Sequence, residues 1–229
     1  MGNALNILKK RNYLPHSVNK VELLRETLKF YGVSSIESWK QIWTDPAIAA
    51  KRSYCFQTKL GPASAWIRIG EIEAAKINCL PFNPVQFEQT LLKIRDNLIL
   101  KEVEDFLPIL VKKCAKAGVA LVLVPEFKKV PWNGATKWLS SNKALILLNL
   151  RYKTVDHFWF SFFHEASHIL NDNKKFLYIN DCKEDDEKEK RANSFGAEIL
   201  IPRKYNSDIQ CLKSYNDILS FAKKINISE

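Results

Sequence analysis

Residues 156–170, DHFWFSFFHEASHIL, constrain what this chain can fold into more than any other stretch. Phe158, Trp159, Phe160, Phe162 and Phe163 follow one another with no Gly or Pro between them, and an acidic residue soon after Thr154 marks a helix start. A helix that is apolar on nearly every face belongs in a core. Yet His164, Glu165 and His168 lie inside it, and the stretch has no Lys or Arg to neutralise the glutamate. Burying an uncompensated carboxylate costs several kcal/mol, on the order of a domain's whole stability margin. A divalent metal ion is the most economical compensation. Two core histidines satisfied by backbone carbonyls would leave Glu165 unexplained.

The spacing supports a metal. In a helix His164 and His168 stand one turn apart on one face, so their ring nitrogens can converge on a single ion. Glu165 points to the side of that pair, from where a carboxylate reaches a water molecule without ligating the ion. This is the H-E-x-x-H arrangement of two ligands and a general base. A catalytic site needs a third protein ligand, expected from another helix. Residues 187–202, EKEKRANSFGAEILIP, supply an amphipathic one, with Ala192, Phe195, Gly196 and Ile199 on one stripe and Pro202 as its stop. Glu189 lies on the rim of that stripe, where the small Ala192 and Gly196 let two helices approach closely. Glu187 and Glu198 compete for the same role, Cys182 in the polar loop is another candidate, and a solvated surface charge is the bland account of Glu189.

The block WNGATKWLSSNKALILLNLRYKTVDHFWFSFFHEASHIL, followed downstream by EKRANSFGAEILIP, resembles the ImmA/IrrE family of zinc metallopeptidases, nearest to the branch fused to HigA-type antitoxin regulators. That family carries HExxH and then E-x-x-A/C-N-x-F/V-A-x-x-L-x-P, which falls here on Glu189, Ala192, Asn193, Phe195, Gly196, Ile199 or Leu200, and Pro202. The resemblance implies that His164, His168 and Glu189 ligate Zn2+ and that Glu165 activates water. Ala166-Ser167 replaces the usual Leu-Gly, and Gly196 replaces the usual Ala; neither change removes a ligand. The implied substrate is a DNA-binding repressor or an antitoxin, cut at few sites. The competing expectation is an antitoxin or regulator subunit that binds a cognate toxin or repressor and keeps a non-catalytic metal.

Composition bounds the class. A chain of 229 residues, 46% hydrophobic and 26% charged, is a globular protein with a substantial core. It has no apolar run long enough for a membrane span and no apolar signal core at its start. Its five cysteines are odd in number and scattered, which reads as reduced thiols in the cytoplasm. The net charge of +10 permits contact with nucleic acid, but the lysines are spread along the whole chain. Residues 22–43 imitate a helix-turn-helix, yet SIESWKQIW is not basic enough for a recognition helix, so direct nucleic-acid binding is not favoured. Antitoxin-like relatives usually carry a DNA-binding domain ahead of this region, so a fragment, or a version without that domain, is expected.

The expected fold is α+β and mainly helical, with a small sheet of about three strands packed on the two metal-bearing helices. Residues 1–100 form a helical N-terminal region, with helices over 21–31, 36–43, 46–56, 62–77 and 85–99. Residues 101–229 form the metallopeptidase domain: a helix over 102–117, a strand over 119–124, a hairpin of 135–139 with 144–150, the two metal helices and a last helix over 214–225. The resemblance implies a short edge strand to which a peptide substrate would add, and 144–150 is the candidate for that edge. Tyr178 and Arg151 are candidate donors to a tetrahedral oxyanion. His157 faces the same side as His164 two turns earlier, too far to share its ion, and packing is the favoured account of it.

Overall fold

A computed structural model describes residues 4–43, 60–98, 103–128, 130, 132–149, 154–172, 174, 178–179 and 187–227. The helix expected over 46–56, together with Arg151 and Cys182, lies outside them. Helices α1 (Ala4–Lys10), α2 (Lys20–Tyr31), α3 (Ile36–Trp43), α4 (Leu60–Lys76), α5 (Pro84–Leu98) and α6 (Val103–Lys116) come first. Strands β1 (Val119–Leu123), β2 (Gly134–Ser140) and β3 (Lys143–Leu148) follow. Then come α7 (Val155–Asn171), the two-residue β4 (Tyr178–Ile179), α8 (Glu187–Leu200), a 3-10 turn (Arg203–Tyr205), α9 (Asn206–Gln210) and α10 (Tyr215–Ile225). The architecture is α+β and mainly helical, around a small mixed sheet. None of the described helices is long and apolar enough to cross a membrane.

Local chemistry sets the helix ends. Asn19 accepts a hydrogen bond from Glu22 N–H at 2.9 Å, Ser35 from Ser38 N–H at 3.1 Å and Asn83 from Gln86 N–H at 3.0 Å. Gly32, at φ 69°, ends α2 in the left-handed conformation that glycine adopts without strain. Ser214 and Asp217 form a reciprocal capping box at the start of α10.

The sheet runs β1-β3-β2-β4, with β1 parallel to β3 and the β2–β3 and β2–β4 pairs antiparallel. The expected hairpin is present, but β3 lies in the interior. Its ALILL run is apolar at every position because both faces are covered, the pattern of a central strand. The edge assignment of 144–150 is therefore corrected: among the described residues the sheet ends in β1 and β4, and β2 lies between β3 and β4.

Alternate side chains enter two cores. Ala120, Val122, Leu145 and Leu147 meet Trp66, Ile67 and Ile69 of α4 and Phe30 of α2 on one face. Val119, Leu121, Ile146 and Leu148 meet α5, α6 and the aromatic run of α7 on the other. So α7 is apolar nearly all round because it is wedged between the sheet, α5, α6 and α8, and its last two turns are pressed into a dry layer.

Arg95 of α5 secures the chain's end. Its Nη2 donates to Ile225 O at 2.6 Å and to Leu200 O at 3.3 Å, which ties the C-terminal ends of α10 and α8 to α5. Arg95→Ala strands both carbonyls. It is expected to cost about 2–3 kcal/mol and to lower Tm by about 5–10 °C in a thermal melt; an unchanged Tm would show that the helix ends hold without it.

Candidate metal centre

Helix α7 begins behind Thr154, with Asp156 in its first turn where a negative charge suits the helix dipole. Two turns on, its buried face turns from aromatic rings to His164, Glu165 and His168, which are 1%, 0% and 2% exposed. Helix α8 packs against this face through Ala192 and Gly196, both buried. A Cβ built on Gly196 would stand 3.4 Å from His164 N and 3.5 Å from Phe160 O, so the helix backbones nearly touch. That closeness carries Glu189 into the core at 6% exposure, although the segment around it is highly charged.

Three side chains meet there. His164 Nε2 lies 3.2 Å from His168 Nε2, Glu189 Oε2 lies 3.2 Å from His164 Nε2, and Glu189 Oε1 lies 3.5 Å from His168 Nε2. One imidazole or carboxylate atom from each residue thus points at a common centre, as a metal site requires. Burial alone would raise the Glu189 pKa, but the hydrogen bonds to His164 and His168 outweigh it and hold the carboxyl down at about 2. Burial opposes a charged His168, yet the Glu189 carboxylate, the Glu165 charge and Asp172 overcome it and raise that imidazole's pKa. The site is therefore strongly electronegative toward its centre, which favours a cation.

The nitrogens turned away from the centre are also held. His164 Nδ1 is 2.9 Å from Asn193 Oδ1, and His168 Nδ1 is 2.6 Å from Asp172 Oδ2. Both partners are oxygen acceptors when His Nδ1 carries the proton, and that tautomer leaves each Nε2 lone pair aimed inward.

Glu165 stands on the sheet side of the pair, against the first residue of β2. A Cβ built on Gly134 would lie 2.7 Å from Glu165 Cγ and closer still to Oε1. Only a glycine leaves room for this carboxylate. The sequence offers Gly134 as a turn residue after Pro131, and nothing in its spacing ties it to a glutamate 31 positions on; the link exists only once β2 crosses α7. Asp172 shows a fainter signal, an acidic residue one turn past His168. Asn193 is legible as a motif position but not as the partner of His164.

Among the described residues the competing ligands fall away. Glu187 is exposed, and Glu198 is exposed and paired with Arg203 at 3.0 Å. His157 lies exposed in the first turn of α7. Tyr178 is in β4, its backbone opposite Thr136 of β2, in a strand where a loop is expected.

Two glycines allow a paired test. Gly134→Ala forces the buried Glu165 carboxylate aside and is expected to cost about 1–3 kcal/mol, while the metal content stays unchanged. Gly196→Ala meets only ordinary contacts and is expected to be tolerated, with a gain of up to about 1 kcal/mol from helix propensity. Metal analysis and melting of the two variants separate these outcomes.

A search of curated proteins finds no match to this chain. The family model of the IrrE N-terminal-like domain, Peptidase_M78, matches residues 122–228. That span runs from within β1 to beyond α10 and takes in Gly134, both histidines, Glu165 and the whole of α8. Over residues 122–228 the chain is thus similar to the IrrE N-terminal-like domain family.

Proposed function

We propose that this protein is a zinc-dependent endopeptidase that cuts a regulatory protein, a DNA-binding repressor or an antitoxin. One observation carries the choice of ion. Ligands about 2.0–2.1 Å from a tetrahedral zinc ion stand about 3.3 Å from one another. The three donor separations here are 3.2, 3.2 and 3.5 Å. Imidazole, imidazole and carboxylate are also a donor set of catalytic zinc, which leaves the fourth position for water or substrate.

Bound zinc supplies a Lewis acid that polarises a peptide carbonyl and acidifies water. His164, His168 and Glu189 hold and orient that ion, and their burial keeps bulk water away. Glu165 takes a proton from the attacking water as its oxygen bonds to the carbonyl carbon. It returns the proton to the amide nitrogen as the carbon–nitrogen bond breaks, so the product amine leaves neutral. Gly134 leaves space for the carboxylate in which it acts. An extended substrate adds most readily at the β4 end of the sheet, beside β2, whose first residue Gly134 lies against Glu165. Tyr178 is the candidate to donate to the tetrahedral oxyanion.

The test is zinc content. Wild type is expected to hold one zinc per chain, and Glu189→Ala and His168→Ala to lose it, by elemental analysis after dialysis. Stoichiometric zinc that survives both substitutions would overturn the assignment.

A further inference from the structure

One carboxylate near the centre is not needed as a ligand. Asp172 closes α7, and its side chain is only 1% exposed. It returns to His168 twice: its backbone N–H donates to His168 O at 3.1 Å, and its Oδ2 sits 2.6 Å from His168 Nδ1. Its second oxygen, Oδ1, accepts a hydrogen bond from Nη2 of Arg191 on α8. Arg191 is half exposed and lies between Glu189 and Asn193 in sequence. Helix α8 thus reaches the outward nitrogen of both imidazoles, through Asn193 at His164 and through Arg191 and Asp172 at His168.

A carboxylate this deeply buried needs a compensating charge. With Arg191 in place, Asp172 is neutralised and fixed, and its Oδ2 accepts from His168 Nδ1–H. Without Arg191, the carboxylate is free to turn toward water, and the ring it holds gains freedom with it. We propose that Arg191 and Asp172 act as one positioning pair, in which the guanidinium fixes the carboxylate and the carboxylate fixes the His168 ring with its Nε2 toward the metal position. The proposal rests on the metal-site assignment above. It makes the closure of α8 on α7, beyond the single ligand Glu189, a determinant of metal affinity.

Zinc dissociation constants by competition with a chromophoric chelator test this in the full chain, beside the Tm of each metal-free protein. Asp172→Asn keeps the side chain's shape and removes its charge. It is expected to weaken zinc binding by about 10- to 100-fold with little change in metal-free Tm. Arg191→Ala is expected to weaken it less, Arg191→Lys to recover part of the loss, and the Asp172→Asn/Arg191→Ala double variant to match Asp172→Asn alone, because the two act in series. Asp172→Asn that binds zinc as tightly as wild type would overturn the role of the carboxylate. Additive losses would overturn the pairing, and a fall in affinity matched by a fall in metal-free Tm would reduce both residues to packing. A wild type that binds no zinc would instead overturn the metal-site assignment itself.

Discussion

Glu165→Gln is expected to keep the metal and lose the chemistry. The carboxylate is not among the three groups that converge on the centre, so zinc content should match wild type. The replacement amide has the same shape, which suits the narrow space beside Gly134. What it cannot do is accept a proton from water and hand it to a leaving amine, a role whose removal costs about 100- to 10,000-fold in rate. The measurement works without an identified substrate. New protein N-termini that appear in cells making wild type should be missing in cells making Glu165→Gln at equal abundance and equal zinc content. Repressors or antitoxins among the cleaved proteins would support the proposed substrate class. The same set of termini with both proteins would remove Glu165 from the mechanism. Loss of zinc along with activity would make it a ligand in place of a base.

Much of this site is written locally in the chain. His164, Glu165 and His168 share one uninterrupted helix, so their mutual geometry follows from 3.6 residues per turn, and the aromatic run around them states that the helix is buried. Glu189 is harder, because Glu187 and Glu198 sit on the same amphipathic helix. The rim position beside Ala192 points to Glu189, but it is the near-contact at Gly196 that draws it to 6% exposure and leaves the other two in solvent.

The remaining features depend on contacts between distant segments. Gly134 matters because β2 passes directly over Glu165, and Arg191 because a long side chain folds back to the end of α7. Neither relation has a period that a sequence can display. The edge assignment of 144–150 fails for another reason, since its signal is present in the chain. A strand apolar at every position is covered on both faces, and a strand so covered tends to be central, as β3 is. The hairpin pattern masks the parallel partner β1, which is joined to β3 across a long stretch of chain.

Zinc should raise the melting temperature, and by more as pH rises. Binding requires a neutral Nε2 on His168, so any proton there must leave first. The folded metal-free protein holds that proton more firmly than an ordinary histidine, because the imidazole's pKa lies above 6.5. The attraction between charged His168 and Glu189 therefore stabilises the metal-free fold fully below pH 6.5 and is lost as pH rises through the raised value. Stabilisation by zinc runs the other way. It is complete above that raised value, and below it the affinity falls by about tenfold per pH unit for one displaced proton. Glu189 adds nothing to this slope, since its carboxyl stays ionised down to about 2. With zinc at about a thousand times its dissociation constant, the gain is about 4 kcal/mol, or about 10 °C in a chain of this size. Melts with zinc and with a chelator should thus differ by about that much near pH 8 and converge as the medium is acidified. Glu189→Ala should erase the difference at every pH. A zinc increment that persists in Glu189→Ala would place the stabilising ion elsewhere in the chain, and one that grows with acidity would show that His168 is not among its ligands.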